Sequence, residues 1–91
     1  MTEQTLYLEI VTPEALVFTG AVSQVDLPGS EGYFGVLPNH APLIANLASG
    51  TVTIYKASVP AERFSITGGV AEVTGDRCTV LATSVTDLPS A

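Results

Sequence analysis

The sequence predicts an all-β fold, an antiparallel sandwich or barrel of about eight to ten short strands. Three observations predict it. Val, Ile, Thr, Tyr and Phe are frequent while Lys is almost absent, a balance that favours sheet over helix. Apolar and polar residues alternate in short runs, and clusters of Gly, Pro, Asn and Ser separate those runs. Helical periodicity never persists beyond one turn. No repeat, low-complexity segment or linker divides the chain, so residues 1–91 are expected to form a single domain.

Taken in order, Thr5 to Val11 alternates, with Leu6, Leu8 and Ile10 on one face and Tyr7, Glu9 and Val11 on the other. Thr12-Pro13-Glu14 breaks this strand. Ala15 to Phe18 resumes an extended course, Gly20 suggests a bend, and Ala21 to Leu27 continues. Pro28-Gly29-Ser30-Glu31-Gly32 is a turn cluster, Tyr33 to Leu37 a short strand, and Pro38-Asn39-His40-Ala41-Pro42 a second turn. Leu43 to Leu47 is a strand closed by Ala48-Ser49-Gly50. Thr51 to Tyr55 has the cleanest alternation, with Val52 and Ile54 on one face. Lys56 to Ala61 turns, Glu62 to Thr67 returns, and Gly68-Gly69 reads as a hairpin dipeptide. Val70 to Val73, a turn at Thr74-Gly75-Asp76 and a last strand from Cys78 to Ala82 complete the series. Thr83 to Ala91 reads as a polar tail.

Composition bounds the function. A chain of 91 residues buries roughly 65% of the surface that its unfolded form exposes, enough for one thin core without a deep catalytic cleft. The net charge of −6, with only Lys56, Arg63 and Arg77 basic, argues against nucleic acid or an anionic membrane surface as the direct partner. The single cysteine, Cys78, excludes an internal disulfide and fits a reducing compartment. No apolar run reaches the length of a membrane span and the N-terminus has no secretory pattern, so a soluble, cytosolic protein is expected. An apolar-rich, charge-poor chain this small suggests a large interface with other subunits.

The chain is organised around Leu27 to Leu43, which holds three glycines, three prolines and the only histidine, His40. A chemical reading makes His40 a general base oriented by Glu31 or Asp26 and acting on Ser30. The simpler reading is a turn histidine at the surface or at a subunit contact. One His and one distant Cys do not meet the three or four ligands of a zinc site, so no metal is expected. The Pro28–Gly32 turn lacks the Lys and the following helix of a phosphate loop, and Glu31 would repel phosphate. A turn presenting Glu31 to a partner fits better. Asp76 and Arg77 read as a solvated pair and Cys78 as a structural thiol. Glu3, Glu9, Glu14, Glu62, Glu72 and Asp87 are too dispersed for paired acid–base work.

PGSEGYFGVLPNHAPL resembles the signature of the epsilon subunit of bacterial F-type ATP synthase, the delta subunit of mitochondria. LYLEIVTPEALVFTG, LASGTVTI and FSITGGVAEVTGDRCTVLA are similar to further stretches of that family, and the resemblance covers residues 5–86. It implies a flattened antiparallel β-sandwich in the central stalk, a non-catalytic rotor subunit that links the gamma subunit to the c ring and couples proton transport to ATP synthesis. It implies no cofactor, and a peripheral location on the cytoplasmic face of the bacterial inner membrane. By position, Gly29, Ser30, Glu31, Gly32 and Tyr33 correspond to the turn that meets the c ring, and Thr12, His40 and Ala45 to positions facing gamma. Family members continue into a C-terminal helical hairpin, which is expected to be absent from residues 1–91. Two readings from other classes stand beside it. One is a stand-alone β-sandwich module binding a ligand or peptide; the aromatic platforms of such modules are sparse here, with no Trp and only Tyr7, Tyr33 and Tyr55. The other is a small hydrolase using Ser30, His40 and Asp26.

Overall fold

Two strands of 17 residues, β5 (His40–Lys56) and β6 (Val59–Gly75), form the spine of the computed structural model, which describes residues 4–88. Around them lie β1 (Leu6–Val11), β2 (Leu16–Val22), β3 (Gln24–Gly29), β4 (Gly32–Val36), β7 (Arg77–Ala82) and β8 (Val85–Leu88). The hydrogen-bonded order is β2-β1-β7-β6-β5-β3-β4, with β8 added to β6. Each long strand serves both layers of a sandwich. The C-terminal half of β6 pairs with β7 and its N-terminal half with β8. The C-terminal half of β5 pairs with β3, while among the described residues the stretch 40–46 of β5 has β6 as its only strand neighbour. The molecule is flattened, with extents of 37 × 29 × 24 Å. Glu3 and the tail residues 89–91 lie outside the described residues.

The predicted all-β sandwich stands, Ala48-Ser49-Gly50 lies inside β5 instead of closing a strand, and three further local expectations change. First, Gly68-Gly69 does not turn a hairpin but lies inside β6. The β5–β6 register runs unbroken from Leu43↔Val73 to Ile54↔Glu62. Along both strands, however, the buried phase switches. Leu47, Ala71 and Val73 are buried in one half, and Val52, Ile54, Phe64 and Ile66 in the other. A period-two strand keeps the same residues inward unless its backbone is rotated locally. Gly68 and Gly69 supply that rotation at φ +88° and +146°, where a side chain would be strained. Second, β1 and β7 run parallel, Leu8 beside Cys78 and Ile10 beside Val80, while every other pairing is antiparallel. Third, the tail contributes a strand, β8, beside Arg63–Ile66.

The core follows the alternation. Leu6, Leu8 and Ile10 are fully buried, as are Cys78 and Val80 on the parallel neighbour. Each large apolar side chain taken from water contributes about 1.5–3 kcal/mol. The β5–β6 connection is a two-residue turn, Ala57-Ser58, with both residues at positive φ (52° and 64°), the sense of rotation that matches strand twist. Ser23, between β2 and β3, fastens it: its Oγ accepts from Ser58 N at 3.0 Å and donates to the Tyr55 carbonyl at 3.0 Å.

At Gly69 a β-carbon would collide with the Leu81 carbonyl as well as meeting a disallowed φ. Gly69→Ala is therefore expected to cost about 3 kcal/mol. Urea unfolding checks this as a fall in midpoint at unchanged slope.

Candidate functional site

The signature stretch folds into the β3–β4 hairpin and the start of β5. Pro28 pairs with Tyr33 and Gly29 with Gly32, leaving Ser30 and Glu31 as the turn. Neither turn residue has positive φ; Gly32, at +128°, takes up the rotation. A β-carbon at Gly29 would sit 2.6 Å from the Gly32 carbonyl, so the hairpin closes only with glycine there. Ser30 N donates to the Asn46 carbonyl at 2.9 Å, and the Tyr33 hydroxyl accepts from Thr51 N at 2.9 Å. Glu31 is exposed at the tip. The expected turn at residues 38–42 is shorter: β5 begins at His40, and Asn39 sits at φ 62° with its N–H donating to Asp76 Oδ1 at 2.9 Å.

Between β4 and the free edge of β5 lies an open groove of about 630 Å³. All five predicted ring-facing residues, Gly29 to Tyr33, line it, and so do His40 and Ala45. The two predicted patches thus meet at one groove. Thr12 does not join them. It borders a separate depression of about 470 Å³ with Val11, Pro13, Leu81, Ala82 and Thr83. From β1 to β5 is three strand spacings, about 14 Å.

A row of side chains spans that gap. Leu16 pairs with Val11, Val11 with Leu81, Leu81 with Val70, and Val70 with Asn46. In β7 the alternation buries Cys78, Val80 and Ala82, so Leu81 faces outward. Leu16 is 56% exposed, Leu81 54% and Ile44 72%. Five apolar residues (Leu16, Val11, Leu81, Val70 and Ile44) therefore occupy the solvent face of four adjacent strands and β5 beside them. Exposed apolar residues in such an array mark an interaction face. Sequence reasoning passed over this set, although an apolar residue in the outward phase of each strand was the available signal.

The catalytic alternative does not assemble. Asp26 accepts from Gln24 Nε2 at 2.7 Å and from the Tyr55 hydroxyl at 3.0 Å, and it does not line the groove with Ser30 and His40. The same hydrogen bond to Asp26, reinforced by its charge, raises the Tyr55 pKa. His40 Nδ1 lies 2.6 Å from the Ala41 carbonyl. Among the described residues no cluster of three or more His, Cys, Asp or Glu is placed to hold a metal. Asp76 and Arg77 do not pair with each other: Arg77 meets Glu9 at 3.3 Å and stands 4.9 Å over the Tyr7 ring, while Asp76 serves Asn39.

Fold and surface together define a small β-sandwich domain with an acidic hairpin tip, an edge groove and an apolar sheet face. The chain belongs to the family of the ATP synthase delta/epsilon chain β-sandwich domain, whose sequence model matches residues 5–87. The ATP synthase epsilon chain of Rhodospirillum rubrum is 44% identical over 87 residues, covering 96% of this chain and 65% of that protein. The chain thus spans just under two thirds of the length of this relative. Among solved structures, a chain of the Euglena gracilis mitochondrial ATP synthase OSCP/F1/c-ring assembly superposes with a TM-score of 0.85. Its identity is 19%, over 91% of this chain and 53% of that one. A chain of the Tetrahymena thermophila central stalk/c-ring gives 0.77 at 16% identity, over 96% and 69%. At these identities the two structures establish the shared fold.

Cys78 lies fully buried between Leu8 and Val73, and burial pushes its thiol from 9.0 up to about 12. The unfolded thiol loses its proton near the ordinary value and the native one three units higher. Between pH 9 and 12 the unfolded state therefore holds fewer protons, and stability falls as pH rises, by up to about 1.4 kcal/mol per unit. Cys78→Ala should lose this slope while being less stable at neutral pH. Denaturant midpoints of both proteins at pH 7, 9 and 10.5 check it.

Proposed function

We propose that this chain is a non-catalytic central-stalk subunit of an F-type ATP synthase. It links the gamma subunit to the c ring, so that proton-driven rotation reaches the catalytic subunits. The observation that carries the reading is the outward apolar row Leu16–Val11–Leu81–Val70 with Ile44, on a domain whose family is that of the ATP synthase delta/epsilon chain. A subunit held in a permanent complex needs an apolar face of this kind more than it needs a catalytic pocket. The two similar structures come from ATP synthase assemblies that include a c ring and, in one case, the central stalk, which supports the same assignment.

In this reading the apolar face, with Thr12 at one end and His40 and Ala45 near the other, docks on gamma. The Gly29–Tyr33 hairpin addresses the c ring, with Glu31 suited to basic residues on the ring's polar loops. Location follows from the complex: peripheral, on the cytoplasmic face of the bacterial inner membrane. Paired strands without an internal hinge suit the transmission of torque.

Size-exclusion chromatography with mass detection tests the proposal. A one-to-one complex with purified gamma is expected. Leu81→Asp, at an exposed position, should weaken it at least about tenfold, because a charge would replace the centre of the apolar row. Glu31→Gln should leave gamma binding unchanged and weaken binding to detergent-solubilised c rings about threefold. Absence of a complex with either partner would contradict the assignment.

A further inference from the structure

The ladder between β3 and β5 has a gap. Asp26 pairs with Thr53, and the next pair is Gly29 with Leu47. Five residues of β5 (48–52) thus face only Leu27 and Pro28 on β3. Pro28 has no N–H to contribute. Backbone donors along this slack segment need another partner, and Thr51 N finds one in the Tyr33 hydroxyl at 2.9 Å. Tyr33 pairs with Pro28 across the hairpin, and its hydroxyl lies over Gly50. A β-carbon at Gly50 would sit 2.5 Å from that hydroxyl and 2.6 Å from Pro28 Cβ. On the other side of the gap, Ser30 N bonds to the Asn46 carbonyl. The hairpin is therefore tied to β5 at two points, Thr51 within the slack segment and Asn46 just before it, and Glu31 lies in the turn between the two tied residues Ser30 and Tyr33.

We propose that Tyr33 is a positioning residue: its hydroxyl closes the ladder gap at Thr51 and sets the resting pose of the Ser30–Glu31 turn, through which Glu31 makes the partner contact. Tyr33 is 63% exposed, but its hydroxyl is engaged within the domain. A turn held in one pose loses less freedom on docking and so binds more tightly. The functional half of this inference rests on the c-ring reading above; the latch itself does not.

The test uses the isotope-labelled full chain and its Tyr33→Phe and Gly50→Ala variants, with thermal melting to verify that each folds. The first variant removes the hydroxyl and the second displaces it. In both, exchange of the Thr51 amide should quicken about fivefold to tenfold, and the amides of residues 30–32 should lose order in nitrogen-15 relaxation. Unchanged Thr51 exchange in Tyr33→Phe would overturn the latch whatever the partner binding. With solubilised c rings, Tyr33→Phe should weaken binding by no more than the roughly threefold loss of Glu31→Gln, and the double variant should bind no more weakly than Glu31→Gln alone. Additive losses would overturn the positioning role, because they would mean that Tyr33 meets the ring itself. Failure of the unmodified chain to bind rings would sink the stalk reading and leave the exchange result to decide the latch.

Discussion

The ladder between β5 and β6 is the constraint on which the other pairings depend. Its register is continuous over both layers, yet the buried phase changes at Gly68 and Gly69, so one pair of strands supplies the inner face of two sheets. Pairings with β7 and β1 follow from one half, and those with β3, β4 and β8 from the other. A side chain at Gly69 would push against the Leu81 carbonyl and so disturb the junction with β7 directly. Propagating pairing from one long hairpin also lets a chain of 91 residues build two layers around a single thin core.

The same geometry places the surface features. Because β3 leaves β5 after Gly29, the first seven residues of β5 keep a free edge, and the β3–β4 hairpin folds back beside it. The groove with Glu31, His40 and Ala45 is a consequence of that divergence. The parallel entry of β1 beside β7 aligns Val11 with Leu81, and β6 continues the row to Val70. Covering such a row contributes to affinity without requiring any particular chemistry. That division suits the proposed stalk role, in which one surface is held by apolar burial and another is directed by charge and pose.

Much of this was legible in the sequence, and the remainder has identifiable causes. Alternation in Leu6–Ile10 and Thr51–Tyr55 specified strands and their inward residues, because period two reports one buried face. The double glycine misled: the dipeptide that favours a hairpin also permits a bend within a strand, and only the pairing partners distinguish the two. The tail strand escaped notice because Val85–Leu88 is only four residues long, carries Asp87 and is held by pairing with β6 rather than by its own propensity. The sequence singled out turn residues 29–33 and His40 as members of two separate patches, and the fold brings them to one groove. Their convergence with Ala45, the remoteness of Thr12 and the apolar row are properties of register between strands distant in sequence, which no local pattern carries. Leu81 alone resembles any exposed leucine; next to Val11 and Val70 it becomes part of a face.

The central claim is that the outer face of β1, β7, β6 and the start of β5 docks on gamma. Methyl NMR of the labelled chain titrated with unlabelled gamma addresses it most directly. The account predicts that shifts and broadening concentrate on the methyls of Val11, Leu16, Ile44, Val70 and Leu81, while buried Val25 and Val36 in the other layer stay where they were. Perturbations confined to the opposite layer, or none at saturating gamma, would contradict it.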